Sequence, residues 1–580
     1  MNYKTLHKTI LLLATIIIFA GCMEDGINNP QGTGKEITVK FEAPSRTFYY
    51  EDGVNLSPVI AYANESDSAL NVFTYEWILK SSNFATDSII STDRTLDLPT
   101  ENLKLGKQQL LLVVTDERYG SKYSAQIQIE VILRSSVGIF VLSKEVSGAS
   151  SLSVLTVDEK GTFSSRPLDF GGIGSDPVGL VYHRMRESAE LRQVGYLQVT
   201  QRGGPGTIDL RLLTMSQEPQ SSLNEQFGGT APALTKSTYY GDHFALTLTQ
   251  DGDLYKKTET VVSKFKVPYA GKYLPTPIII NGGARITHWA NTSTMNENSG
   301  VYTLLMYDAL NARFLSVTNN AVSYPVTRTG EINPLNNYAL SETGSANASK
   351  GAPDLKGYKP GDESPTGLLT FPKLDDLSDY EMIGFTLYYL DLHNTYFYDV
   401  MSIKAAAILK KKSNGKFYLL TFAQEGNYNK KSMSASLLDF VELEQPDGAG
   451  SLGNNILLCG WCDPMFGSYP YVFFTNAERN KVYRYDCDRH QRRLVYTSNS
   501  PITVLYLPEP GATTKTANPN AHPYFNKLLI GAQNGDVVCM GMPVVATDEF
   551  VELHTYRTGK EIVDFAFVPN EAAASSNLAK

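Results

Sequence analysis

From Glu36 to about Arg134 the chain alternates short β-rich runs with turn signals: "EITVKF", "SPVIAYA", "FTYEWIL", "QQLLLVVTDERYG" and "SAQIQIEVIL". In "AQIQIEV" apolar and polar residues strictly alternate, so one strand face meets a core and the other meets water. This spacing predicts a small β-sandwich of about a hundred residues over 36–135. From Gly138 onward the pattern lengthens into groups such as "IFVLSKEVSGASSLSVLTVD", "VGYLQVTQRGGPGTIDLRLLTM", "HFALTLTQDGDLYKKTE", "VYTLLMYDALNARFLSV" and "NKLLIGAQNGDVVCMGM". Each is a strand, a turn rich in Asn, Asp or Gly, and another strand, and they recur at intervals of roughly forty to seventy residues. One such group cannot bury both of its faces without neighbours, so the series predicts a β-propeller of about seven blades over 136–570. The lone strand "EIVDFAFVP", Glu561 to Pro569, is placed to complete the first blade and remove an open sheet edge. Two stacked sandwiches are the other arrangement, but no pattern breaks the series into halves. A tail, 571–580, follows.

The fold class is therefore all-β, and one stretch before it falls outside the β pattern. Lys4 and Lys8 precede an apolar run from Ile10 to Ala20, then Ala20-Gly21 and Cys22. The run is shorter than the roughly twenty residues that a membrane-spanning helix needs, which predicts a cleaved signal peptide, 1–21. Small residues directly before a cysteine resemble the bacterial lipobox, with Phe19 where Leu is usual. That resemblance implies cleavage before Cys22 and lipidation of its thiol, which would hold the mature chain to a bilayer through acyl chains. The following "GINNPQGTGK" has no periodicity, so 22–35 reads as a lipidated, flexible tether.

Tyr75-Glu76-Trp77, then Gly106, the apolar run Leu110 to Val114, and Thr115-Asp116 before an alternating strand resemble PKD and immunoglobulin-like domains. In that pattern Trp77 is the tryptophan packed between sheets. The order of leader, PKD-like domain and repeat region resembles the PKD-like family lipoproteins of Bacteroidetes, with "VGIFVLSKEVSG", Val137 to Gly148, at the start of the second domain. Met23-Glu24-Asp25 loosely matches the acidic surface-export signal of such lipoproteins. The resemblance implies attachment to the outer membrane, facing outward, and genes beside SusC/SusD-like import proteins. The implied partners are that transporter or other surface lipoproteins. It carries over no catalytic residue.

Composition narrows the function. A formal net charge of -9 argues against a nucleic-acid partner, since that affinity comes largely from Lys and Arg neutralising phosphates. With 34 Tyr and 25 Phe against 3 Trp, aromatic rings are plentiful for strand packing and for stacking a glycan or peptide. Five cysteines in 580 residues mean that disulfides are not the main scaffold.

Candidate chemistry is sparse. In "CGWCDP" the pair Cys459 and Cys462 lies among β runs, without the helix start that a redox pair uses, and reads as buried thiols or a structural disulfide. Cys487 and His490 follow in the same group, so a four-ligand zinc cluster is arithmetically possible, but no second Cys-x-x-Cys follows. No His-Glu-x-x-His spacing, nucleophile elbow or phosphate-cradling loop occurs, and no cofactor is expected. Asp375-Asp376 suits a solvated turn better than a general acid and base. A Gly-, Pro- and Asn-rich insertion, Thr329 to Asp379, is expected to project from one face as a binding loop. Tyr239, Tyr240, His288, Trp289, Trp461, Tyr469 and Tyr471 are candidates for a ligand-stacking rim. The chain is thus expected to bind rather than catalyse: a glycan, peptide or glycopeptide, or an import complex. The alternative is a propeller hydrolase or lyase acting on polysaccharide or peptide, with carboxylates at the central channel.

Overall fold

The computed structural model describes residues within 37–568. Outside the described residues lie 1–36, 569–580 and intervening segments, the longest being 259–302, 339–356 and 508–526; 461–469 and 543–548 are among the shorter ones. Cys22 and the leader are therefore outside them. The described residues are nearly all β, with one short α-helix, Leu223–Gln226.

The chain divides into two compact units, the first drawn from residues up to Glu130 and the second mainly from Val131 onward. In the first unit one five-stranded sheet runs in the order Ser45–Tyr49, Ser121–Ile132, Gly106–Asp116, Phe73–Lys80, Ser88–Ser91. Two-strand ladders join Ile37–Lys40 to Val59–Tyr62 and Val54–Leu56 to Leu96–Leu98. The alternation in "AQIQIEV" becomes buried Ile127, Ile129 and Val131 facing the core, with polar residues between them. Trp77 is fully buried opposite Leu112, and its Nε1 donates to Asp93 O at 2.9 Å, which satisfies the indole's one polar group.

Among its described residues the second unit forms seven antiparallel sheets in chain order, numbered I to VII. Sheet I is Gly138–Lys144, Ser150–Val157 and Phe163–Leu168, joined by the last strand, Glu561–Val568, which pairs with Gly138–Lys144. Sheet II begins with Ser175–Arg186, sheet III with Leu234–Tyr240, sheet IV with Thr303–Asp308, sheet V with Tyr380–His393, sheet VI with Leu458–Gly460 and sheet VII with Ile502–Tyr506. In each of these the strands follow one another as a meander, so every hairpin is local and only sheet I is made from the two ends of the unit.

Turn chemistry explains the hairpins. In "NAERN" the Asn476 side-chain oxygen accepts from Asn480 N at 2.9 Å and Lys481 N at 3.1 Å, replacing ladder bonds at the bend. In "QNGD" Gly535 takes a φ of 89°, and a Cβ there would lie 2.6 Å from Lys560 N, so only glycine fits.

The sheets bury their faces against one another. Phe140, Leu142 and Val568 of sheet I share a core with Leu197, Val199 and Ile208 of sheet II. Sheets IV and V share Tyr307, Phe314, Phe385 and Phe422. Sheets V and VI share Ile408, Leu419, Phe474 and Tyr485, and sheets VI and VII share Phe473, Val482, Ile530 and Met540. Ile139, Val141 and Phe565 of sheet I then pack with Val504, Leu529 and Cys539 of sheet VII. The first strands of sheets V, VI and VII adjoin in succession, and that of sheet VII adjoins Glu561–Val568, which in turn adjoins Ser175–Arg186 of sheet II.

One expectation is corrected here. The described parts of the insertion, which leave out Thr329 and 339–356, do not project: Gly330–Pro334 is the third strand of sheet IV, and Tyr358–Asp379 is a wedge seated between sheets IV and V. Tyr358 exchanges backbone hydrogen bonds with Leu437, at 2.8 and 3.1 Å, on the last strand of sheet V, Ser432–Glu442. On the other side Phe314 N donates to Leu374 O and Leu377 N to Ala312 O, both at 2.7 Å. Phe371, Leu374 and Leu377 are buried in the core that the two sheets share. The apolar residues scattered through the polar run are what seat it. Asp376 does lie in a turn, where its carboxylate accepts from Ser378 N at 3.3 Å.

Candidate functional site

The expected rim is not assembled by the described residues. Tyr239 and Tyr240 lie in the first strand of sheet III, paired with Leu246 and Ala245. His288, Trp289, Trp461, Cys462 and Tyr469 lie outside the described residues. Tyr471 does not stand on a rim: it opens the strand Tyr471–Thr475, in which every side chain is buried, and is itself 1% exposed. The guanidinium carbon of Arg484 lies 4.5 Å from its ring centroid. "YVFFT" is a continuous apolar run covered on both faces, and such runs belong inside. Cys459 is buried in Leu458–Gly460, with Sγ 3.8 Å from Gly460 O. The disulfide reading depends on Cys462, beyond the described residues. Cys487 and Cys539 are buried free thiols. Among the described residues no three His, Cys, Asp or Glu side chains converge as metal ligands.

The structure instead draws together three residues that are far apart in sequence. Asp486, at the end of Lys481–Asp486 in sheet VI, accepts from Asp488 N at 3.1 Å and Arg489 N at 3.0 Å. That cap shapes the turn "CDRH" and leaves His490 in the left-handed region at φ 53°. His490 Nδ1 lies 3.0 Å from Asp439 Oδ2 on the last strand of sheet V. Its Nε2 lies 3.2 Å from Thr366 Oγ1 on the wedge. The wedge turn is itself held by Ser364, which is buried, donates to Phe440 O at 2.7 Å and accepts from Gly367 N at 3.2 Å. Asp439 is buried, and its Oδ1 accepts from Phe440 N at 2.9 Å.

Hydroxyl, imidazole and carboxylate stand here in the order of a nucleophile, a base and its orienting acid. The electrostatics favour a different role. The hydrogen bond to Asp439 raises the His490 pKa above the ordinary imidazole value, helped by Asp488 and Asp486 and opposed by burial. When protonated the imidazole donates through both nitrogens, and in that state His490 ties the wedge to sheet V and accepts no proton from Thr366. Beside it, burial pushes the Cys487 thiol and the Tyr388 phenol well up, so both stay neutral. No local motif marked this junction. The one available signal was the acidic "DCDRH" turn, which surrounds a histidine with carboxylates.

No family model matches the chain, and no curated protein matches it. Solved structures with some likeness include a quinonprotein alcohol dehydrogenase-like protein from Bacteroides thetaiotaomicron, at 10% identity and a TM-score of 0.37, covering 90% of this chain and 94% of that one. Another is PorZ, a surface component of the type-IX secretion system of Porphyromonas gingivalis, at 8% identity and a TM-score of 0.18, covering 91% and 77%. The N-terminal eight immunoglobulin domains of Down syndrome cell adhesion molecule give 11% identity and a TM-score of 0.14, covering 90% and 72%. At scores this low, the fold and function rest on the chain's own residues.

Proposed function

We propose that this chain is an outward-facing outer-membrane lipoprotein, anchored through Cys22. In this reading a PKD-like sandwich is the spacer, and sheets I to VII are the blades of a propeller closed by Glu561–Val568. Its work is non-catalytic: it binds a glycan, peptide or glycopeptide, or docks to a SusC/SusD-like import complex. The observation that carries the propeller is the shared sheet of Gly138–Lys144 and Glu561–Val568, with the last strand also adjoining sheets II and VII. A ring needs its ends joined in this way, and the step from sheet III to sheet IV is the one that the proposal supplies. The lipobox-like leader supports the anchor.

Metabolic labelling with a palmitate analogue tests the anchor: label is incorporated by the native chain and lost in Cys22→Ser. Affinity capture of the labelled protein from outer membrane then tests docking, with co-purification of a transporter or lipoprotein partner expected. Recovery of the chain alone would sink docking and leave ligand binding, which a glycan and peptide screen decides.

The order Thr366, His490, Asp439 favours one second reading, a hydrolase. A fluorophosphonate probe separates the two: the binding reading expects no labelling, whereas labelling abolished in Thr366→Ala would establish the hydrolase.

A further inference from the structure

Among the described residues several buried carboxylates have close polar partners. Asp308, on the first strand of sheet IV, is met by Arg313 Nε at 3.1 Å and Asn311 Nδ2 at 2.6 Å. Asp439 is met by His490, and Asp564 by Leu180 N at 3.0 Å. Arg484 departs from this pattern. It is 1% exposed on the third strand of sheet VI, yet its Nε and Nη1 are buried without a hydrogen-bond partner among the described residues. What surrounds the guanidinium is aromatic: its carbon lies 4.5 Å from the ring centroid of Tyr471 and 5.6 Å from that of Phe550.

The energetics of that setting are one-sided. A guanidinium stays protonated in proteins, so it cannot escape burial by releasing its proton. Removing an ion from water costs several kcal/mol even after relaxation. Ring faces return only part of that cost and do not saturate the N–H donors. The group that would match such a guanidinium is an acceptor carrying negative charge. Position also matters: Arg484 is two residues from the end of Lys481–Asp486, on an inner strand of the sheet, and Phe550 beside it is only partly buried.

We propose that Arg484 is the anion receptor of a ligand site between sheets VI and VII, taking a carboxylate against the rings of Tyr471 and Phe550. One guanidinium matches one negative charge, and the rings suit the apolar body beside it. The inference deepens the binding reading above by naming the ligand's chemical class, a carboxylate supplied by an acidic sugar or by the C-terminal end of a peptide. It does not depend on the anchor or on a transporter, because its test uses the purified full chain in detergent.

Thermal unfolding is followed against increasing sodium glucuronate and N-acetyl-glycinate, with glucose, N-acetyl-glycinamide and sodium chloride as controls. The wild-type Tm is expected to rise with carboxylate concentration and to stay level with the controls. Arg484→Met fills the same space without charge, so it should unfold at or above the wild-type temperature in buffer and lose the carboxylate response. A response to glucuronate alone assigns an acidic sugar, one to N-acetyl-glycinate alone assigns a peptide end, and either supports the site. Equal responses to chloride and carboxylate would overturn it. So would a flat wild-type response, whatever the Tm of Arg484→Met; a marked fall of that Tm would add that a carboxylate of the chain itself already occupies the place.

Discussion

Leu180 N donates a 3.0 Å hydrogen bond to Asp564 Oδ2, joining residues 384 positions apart. Asp564 is 3% exposed on the last strand, and Leu180 belongs to the first strand of sheet II. The bond ties Glu561–Val568 to a sheet with which it shares no ladder. Replacing Asp564 with Ala leaves a buried N–H without that acceptor, at a cost of about 1 to 3 kcal/mol. Asp564→Asn keeps a side-chain carbonyl there and should lose less. Urea unfolding of both variants checks the order.

The wedge should behave as core rather than loop. Phe371→Ala removes a ring packed on Tyr358 at a centroid distance of 5.5 Å and should cost about 3 to 5 kcal/mol. Leu368, an exposed residue of the same segment, should tolerate Asp with a change within about 0.5 kcal/mol. Equal stabilities of the two variants would show that the segment does not pack.

His490 makes stability depend on pH with a definite sign. Its pKa is raised in the folded chain, so it binds a proton more tightly folded than unfolded. The resulting stabilisation is complete below the ordinary imidazole value of about 6.5 and is lost as pH rises through the raised value. The Tm difference between wild type and His490→Gln should therefore be largest in mildly acidic buffer and shrink toward alkaline pH. A difference that grows with pH would overturn the pairing with Asp439.

Gly460 allows sheets V and VI to meet at their first strands. A Cβ at this position would overlap the carbonyl oxygen of Leu387, a backbone atom that cannot rotate aside. Gly460→Ala should destabilise by about 1 to 3 kcal/mol or more, the usual range for overpacking. Denaturant unfolding gives the value, and a neutral result would mean that the two strands are less close.

Cys487 and Cys539 should resist alkylation in the native protein. Burial raises both thiols, Cys539 to about 12, so little thiolate exists near neutral pH. Mass spectrometry after iodoacetamide treatment should find both sites unmodified until denaturant is added.

The local strands were legible because period-two alternation and Asn-Gly turns act within a few residues, as in "AQIQIEV" and "QNGD". Tyr471 was misplaced because an aromatic residue beside a loop reads equally as rim or core, and only the packing of sheet VII against its strand decides. The wedge was misread because its polar composition outweighs Phe371, Leu374 and Leu377, whose burial depends on two sheets on either side of it in sequence. The junction of Thr366, Asp439 and His490 has no signal beyond the acidic "DCDRH" turn, since it joins a turn, a strand and a second turn through tertiary contact alone.

Sheet I also sets a clock on the protein's birth. Gly138–Lys144 leaves the ribosome more than 400 residues before its partner, Glu561–Val568. Until Glu561–Val568 is made, Gly138–Lys144 has an open edge, and pairing across so long a separation is slow. A nascent chain therefore cannot complete sheet I until Glu561–Val568 has been made.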